Sequence, residues 1–205
     1  LYKRIRRMVD QGLLSLEDSL NPKANMFVVK EHPTLPKGTK VFQKDETGSY
    51  RVITFVKDTE TRKHLAEIAN ILAIPFVDSQ HGFVQDRNIW TATIPHARNV
   101  AMINYDLKDA FDQISREEVW YVFRYILDLN KELSEILTNY ATHNGYLYQG
   151  CPFAPQIFNI LAIHLNLSLN NLSGITFTAY ADDLNFSSDR FFSHKMKRFI
   201  GKIIN

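Results

Sequence analysis

Two aspartates, Asp182 and Asp183, stand side by side in FTAYADDLNFSS, residues 177–188. On either side, ITFTAY and LNFSS are rich in β-branched and aromatic residues and read as short strands, which puts both carboxylates at the tip of a hairpin. Adjacent like charges repel unless water or cations neutralise them. A solvated turn is one reading, because Asp is common in turns; the apolar flanks favour another. A third acid, Asp106, ends the apolar run VAMINY, which reads as a central strand. An ionised carboxylate in such a place is costly unless it is paired or bound to a metal. Mg²⁺ favours a few carboxylates together with waters and substrate phosphates. Two such ions about 3.5–4 Å apart can clamp the attacking and leaving oxygens of a phosphoryl transfer. Asp106, Asp182 and Asp183 are the ligand set that this chemistry requires.

The rest of the chain must position these groups. Its 205 residues are enough for one large domain or two small ones, and 45% hydrophobic content supports a sizeable core. Residues 1–20 read as helical, with Ile5, Met8, Val9, Leu13 and Leu16 near helical spacing. The start, LYKRIRRMV, packs four cations into seven residues, which suits either a phosphate backbone or a solvated helix face. VFQKDETGSYRVITFV reads as a hairpin over about 41–56, and DTETRKHLAEIANILAIPF as a helix that ends before Pro75. Ser115 and Glu118 form a capping box; the helix they open has Val119, Val122, Phe123 and Ile126 on its apolar face. Leu133, Ile136, Leu137 and Tyr140 mark a second helix, with Gly145 in the turn beyond it. QIFNILAIHLNLSLNNL reads as one buried helix, apolar nearly all round, ended by Gly174. Helices and strands mix without strict alternation, which predicts an α+β fold.

Some function classes drop out. One cysteine, Cys151, precludes an internal disulfide and has no His beside it in sequence to make it a nucleophile. The apolar runs fall short of a membrane span and no signal peptide is visible, so no membrane partner and a cytoplasmic location are expected. The first residue is Leu, which reads as a piece of a longer chain.

YDLKDAFDQI, QGCPFAPQIFNI and AYADDLNFSS occur in the order seen in reverse transcriptases, and the chain resembles that family over roughly residues 40–188. Upstream, HGFVQDRNIWTATIPHA looks like the segment before the first catalytic Asp in retron and group II intron enzymes. The resemblance implies a right-hand polymerase fold: fingers mainly in 1–100, palm mainly in 101–205 with a fingers-type helical insertion and an antiparallel sheet flanked by helices, and no thumb in this chain. It implies RNA-directed DNA synthesis by a bacterial, retron-type or related phage-defence enzyme. Two Mg²⁺ ions, replaceable by Mn²⁺, would be held by Asp106, Leu107, Asp182 and Asp183. The implied partners are an RNA template, a DNA or RNA primer, deoxynucleotides, a noncoding RNA and an effector protein.

Other roles carry over position by position. Phe111, five residues after Asp106, matches the aromatic under the sugar of the incoming nucleotide, where a ring leaves no room for a 2′-OH; a core Phe is the alternative. Asp109 and Ala110 match positions whose backbone approaches the triphosphate, and Gln149 and Gly150 match a Gln-Gly pair near the templating base. Tyr180 and Arg87 match primer and template contacts, with a core role equally open for Tyr180. In the hairpin, a two-residue loop Thr47-Gly48 would set Lys44 across from Arg51, a repulsive pair that a triphosphate between them would reverse. Another loop length removes that argument, and two solvated edge cations remain the alternative.

The departures are specific. Ala154, a poor N-cap, stands where similar enzymes have Ser. ATIPH, residues 92–96, keeps only the His of the Asn-Ala-x-x-His that retron enzymes carry, and only 22 residues follow Asp183. The basic, aromatic tail with Arg190, Lys195, Lys197, Arg198 and Lys202 is expected to begin a primer-binding segment. Two rival readings stand beside polymerisation of DNA on RNA: an RNA-synthesising or untemplated relative, which Phe111 argues against, and a catalytically silent nucleic-acid-binding subunit.

Overall fold

A computed structural model describes residues 1–20, 26–29, 53–56, 58–74 and 76–204. The chain forms two compact units, each drawn from two stretches of sequence: Leu1–Ile68 with Phe111–Ala154, and Ala69–Ala110 with Pro155–Asn205. The helical residues after Phe111 therefore cluster with the N-terminal segment.

The described residues of the first unit are mainly helical. Helix α1 spans Tyr2–Asp10 and α2 Leu16–Leu20. The single helix expected over 1–20 is broken because Gly12 takes a left-handed φ of 70°. That break buries Leu14 and leaves Leu13 and Leu16 outside, against the sequence expectation. Strands β1 (Met26–Val29) and β2 (Ile53–Val56) pair antiparallel, Met26 opposite Val56. Helix α3, Thr59–Leu72, begins in this unit, and α4, Ile89–Thr93, belongs to the second. Helix α5, Arg116–Tyr121, opens on the expected capping box: the Ser115 hydroxyl accepts from the Glu118 N–H, and the Glu118 carboxylate accepts from the Ser115 N–H at 2.8 Å. The chain then widens into a π turn over Val122–Ile126, and the Leu127 N–H reaches the Val122 carbonyl. The extra residue rotates Ile126 out of the expected apolar face, and it is exposed. Helix α6, Lys131–Ala141, buries Leu133, Ile136, Leu137 and Tyr140 as its periodicity requires. A small hairpin follows, β4 (Thr142–His143) and β5 (Tyr146–Leu147), turning at Asn144-Gly145.

The second unit is built on a three-stranded antiparallel sheet in the order β3-β7-β6, with β3 Ala101–Asp106, β6 Thr176–Tyr180 and β7 Asp183–Ser188. The sequence expected β3 to be central; β7 is, and β3 alternates between half-buried and exposed residues. One face is apolar: Phe177, Ala179, Leu184 and Phe186 pack with Leu169 and Ile200. The tail forms helix α9, His194–Ile204, whose Met196, Ile200 and Ile203 seal this face while Lys195, Lys197, Arg198 and Lys202 stay exposed. The tail is thus a layer of this unit. The long apolar helix is two, α7 (Ala154–Leu161) and α8 (Ile163–Asn170), separated at Ala162, and His164, Leu167 and Ser168 are exposed on the second. Ala154 is the first residue of α7 rather than its cap; it is fully buried and its N–H bonds to the Cys151 carbonyl at 3.1 Å, so a Ser there is not needed to start the helix.

Candidate active site

The other face of the sheet is polar. Its rows are set by the register: Asp106 lies across from Asp183 and Asp183 across from Tyr180; one step down, Asn104 faces Asn185 and Asn185 faces Thr178. Side chains two apart on a strand share a face, so Asp106, Asn104 and Met102 form one exposed edge of it. The Asn104 amide donates to the Asn185 side chain. A cavity of about 250 Å³ opens on this face, with Asp183, Tyr180, Asn185, Asn104, Met102 and His96 in its wall.

The acidic end is made by the β6–β7 turn. Tyr180 pairs with Asp183, so the loop is the two residues Ala181-Asp182. Of these, only Ala181 has positive φ, 55°, the II′ pattern in which Gly is usual. The Leu107 N–H donates to the Asp182 carbonyl at 3.1 Å and fixes the turn to the end of β3. The three aspartates foreseen from sequence are therefore gathered at one corner of one sheet. Burial, and after it the carboxylates of Asp182 and Asp106, push the Asp183 carboxyl above its usual range. The two charges that act on it are both negative.

Such a corner calls for cations. Among the described residues, no group of three or more His, Cys, Asp or Glu side chains is gathered tightly enough to hold an ion as it stands. Mg²⁺ is commonly held by one or two carboxylates, waters and substrate phosphates rather than by a protein cage. An open, mutually repelling carboxylate cluster fits that mode of binding.

What holds the turn was not foreseen. Residues 79–82 run beside it: the His81 N–H donates to the Ala179 carbonyl and the Ala179 N–H to the Ser79 carbonyl, both at 2.8 Å. Gly82 then passes so close that a Cβ there would lie 2.3 Å from the Ala181 nitrogen and 2.9 Å from the Tyr180 carbonyl carbon. From α7, the buried Asn159 amide donates to the Gly82 carbonyl at 2.9 Å, and the Gln80 amide donates to the Asn159 carbonyl at 2.6 Å. A Gly in a loop and an Asn in an apolar helix were the available signals; neither names its partner. Arg87, expected at primer or template, is also tied into this segment. Its guanidinium donates to the carbonyls of Val77, Asp78 and Gln80 at 3.1, 2.8 and 2.6 Å and so shapes the same segment.

His96 sits under the polar face. Its Nε2 meets the Thr178 hydroxyl at 2.8 Å and its Nδ1 meets Ser187. Thr178 donates its own proton to the Ala92 carbonyl, so Nε2–H must donate to Thr178. Ser187 already accepts from the Asn99 amide at 2.6 Å and is free to donate to Nδ1. The network accommodates the neutral imidazole with its proton on Nε2, and burial lowers the His96 pKa. His81, bonded to Thr91, is lowered chiefly by burial as well. Both histidines are tied into hydrogen bonds of the fold.

The remaining candidates divide between the units. Tyr180 is half-buried, its ring 6.5 Å from that of Phe83. Leu107 packs on the apolar core, and Asp109 is exposed with φ 50°, followed by Ala110. Phe111, Gln149 and Gly150 belong to the helical unit: Phe111 is buried, and Gln149 is exposed in the loop after β5. Cys151 is buried and its thiol is pushed up to about 12, chiefly by burial, which removes it as a nucleophile. Lys44, Arg51 and the Thr47-Gly48 loop lie outside the described residues.

Comparison with known proteins adds an independent finding. Residues 35–202 match the family described as reverse transcriptase (RNA-dependent DNA polymerase). The chain is 30% identical over 110 residues to the retron Ec86 reverse transcriptase of Escherichia coli, covering 52% of this chain and 34% of that protein. It is 29% identical over 161 residues to the retron Mx162 reverse transcriptase of Myxococcus xanthus, covering 68% and 33%. It is also 29% identical over 136 residues to the retron Mx65 enzyme of the same organism, covering 57% and 32%. The chain spans about a third of the length of these curated relatives.

Proposed function

We propose, from the premise that this chain belongs to the reverse transcriptase (RNA-dependent DNA polymerase) family, that it carries the nucleotidyl-transfer site of a retron-type enzyme. The reaction is attack of a primer 3′-OH on the α-phosphate of a deoxynucleotide, directed by an RNA template, with pyrophosphate leaving. The observation that carries the reading is the corner where Asp106 and Asp183 face each other in register and Asp182 occupies the adjoining turn.

Two Mg²⁺ ions held by Asp106, Leu107, Asp182 and Asp183 would supply the positive charge that acidifies the 3′-OH and steadies the leaving pyrophosphate. The chain's own part is placement. The tight packing of Gly82 on the turn fixes where the carboxylates stand before substrate arrives, so little reorganisation is left for the reaction itself. Tyr180, across from Asp183, borders the path of the primer end. Lys44 and Arg51 offset charge on the triphosphate, Asp109 and Ala110 approach it by backbone, and Gln149 and Gly150 lie by the templating pair. Phe111 excludes the 2′-OH. Matches to enzymes named as retron reverse transcriptases support a noncoding RNA as native template and partner, and an effector protein is the further partner of this reading.

The test is primer extension on primed RNA with deoxynucleotides and Mg²⁺. Asp182→Asn should reduce extension by about three orders of magnitude, since metal-borne charge stabilisation is worth several kcal/mol. RNA binding without extension in the unaltered protein would sink the catalytic reading. Phe111→Ala should admit ribonucleotides; unchanged discrimination would remove Phe111 as the gate.

A further inference from the structure

Helix α1 carries four cations, Lys3, Arg4, Arg6 and Arg7, and the fold uses two of them. Arg4 reaches Glu67 on α3 at 3.0 Å. Arg6 bonds Glu132 on α6 at 2.7 Å and Asp10 at 3.0 Å. With Ile5 and Met8 buried, these bonds account for how the helix is tied down. Lys3 and Arg7 take no part in this. They stand about 6 Å apart along the axis, four residues at 1.5 Å each. Among the described residues neither has an ion pair.

Both line one cavity of about 480 Å³, together with Arg4, Gln11, His64 and Glu67. Three fixed cations face one carboxylate there. Met8 and Leu13 add an apolar strip, and among the described residues no Phe, Tyr or Trp borders the cavity, so the wall offers charge and hydrogen bonds but no such ring on which a base could stack. That combination suits contacts to phosphate, which position a strand without reading its sequence. Two cations one helical turn apart favour a ligand with repeating phosphates over a single small anion. We propose that this cavity of the helical unit is a backbone-phosphate subsite for single-stranded nucleic acid, with Lys3 and Arg7 as its contacts. The choice of nucleic acid as the polyanion rests on the polymerase reading above.

The test is the salt dependence of binding of a labelled single-stranded RNA to the 205-residue chain and to Lys3→Gln/Arg7→Gln. Each phosphate contact on a single strand adds about 0.7 to the log–log slope, so the double variant should flatten it by about 1.4. Its affinity should fall on the order of 50-fold at 50 mM salt, with the gap closing toward 1 M, and equally for each homopolymer. Lys3→Gln alone, at the helix end, should give about half the slope change and keeps the test open if the double variant does not fold. An unchanged slope overturns the proposal. So does inorganic phosphate that displaces RNA from the unaltered chain at equal phosphate concentration, which assigns the cavity to a free anion. Loss of poly-glutamate binding without loss of RNA binding assigns it to an acidic protein, with the same consequence. A changed slope in a chain that extends no primer would remove the polymerase reading and leave this subsite standing.

Discussion

Two tight hairpins among the described residues share a loop length and little else. Between β4 and β5 the loop is Asn144-Gly145, with φ of 52° and 87°. Both residues tolerate the left-handed region, the pattern of a I′ turn. A Cβ added to Gly145 would meet nothing within 4 Å. Between β6 and β7 the loop is Ala181-Asp182, with Ala where Gly would be at ease and a carboxylate beside two others. Here the surroundings leave no space: Gly82 presses its backbone on the turn, and Asn159 holds Gly82. The first turn is specified by its own residues. The second is imposed by residues some hundred positions away in sequence, and it is the one that carries the carboxylates. Local rules are broken where neighbours over-determine the backbone, and such places concentrate at functional sites.

Alanine should be tolerated very differently at the two glycines, Gly82 and Gly145. In Gly82→Ala the new methyl meets backbone atoms at 2.3 and 2.9 Å, which cannot rotate aside. Overpacking of this kind costs about 1–3 kcal/mol, and the only relief is to displace the turn. Extension should therefore fall by at least tenfold along with the unfolding midpoint. Gly145→Ala should lose only about 1 kcal/mol, from its positive φ, and leave extension intact. Equal losses in urea unfolding would mean that the close approach at Gly82 does not matter.

Asn159→Ala comes next. It leaves the Gly82 carbonyl without the amide it accepts from, in a buried place. An unsatisfied buried acceptor costs about 1–3 kcal/mol. Extension should drop with little change in nucleotide KM, since Asn159 acts through the turn. Asn159→Asp lacks the donor and should behave like Ala; a normal Asp variant would show that packing, not the hydrogen bond, is what counts.

These residues also show what could be read in advance. The aspartates were legible because their chemistry is rare at the end of apolar strands, and the register then delivered Asp106 to Asp183. Helix α6 and the Ser115 capping box were legible because helical period and capping are local. The Gly82 clamp was not, since it depends on a loop meeting a hairpin, and neither segment encodes the other's position. The π turn at Val122–Ile126 and the break at Ala162 escaped for a related reason: periodicity assumes a uniform helix, and one inserted or bent residue shifts everything after it. β3 looked central because an alternating strand with only Asn104 and Asp106 polar on its open face still reads as apolar.

Acidity separates the hairpins more gently. The strands β6 and β7 rest on neutral His96, whose pKa lies below its ordinary value of 6.5. An unfolded chain therefore takes up more protons than the folded one between the lowered pKa and about 6.5. The stabilisation from this group is complete above that range and is lost as pH falls through it. Amide exchange in β6 and β7 should quicken as pH drops from 7 to 5, after correction for intrinsic rates, while β4 and β5 respond less. His96→Gln should remove most of this pH dependence; an unchanged profile would shift the cause to His81, lowered for the same chief reason.

The smallest change in stability is expected at the strained alanine itself. Ala181→Gly is the change that turn preferences recommend. It removes left-handed strain of about 1–2 kcal/mol. It also adds about 0.5–1 kcal/mol of chain entropy to the unfolded state and gives up a buried methyl worth about 0.8 kcal/mol. These terms nearly cancel, so the unfolding free energy should move by less than about 1 kcal/mol. The freed backbone would let the tip sample positions that Ala181 forbids, and the carboxylates would be held less closely. Extension should fall severalfold at nearly constant stability, whereas Asn144→Ala should lose up to about 1 kcal/mol and no activity. A Gly variant as active as the parent would mean that Gly82 alone fixes the turn and that the strained alanine adds nothing to it.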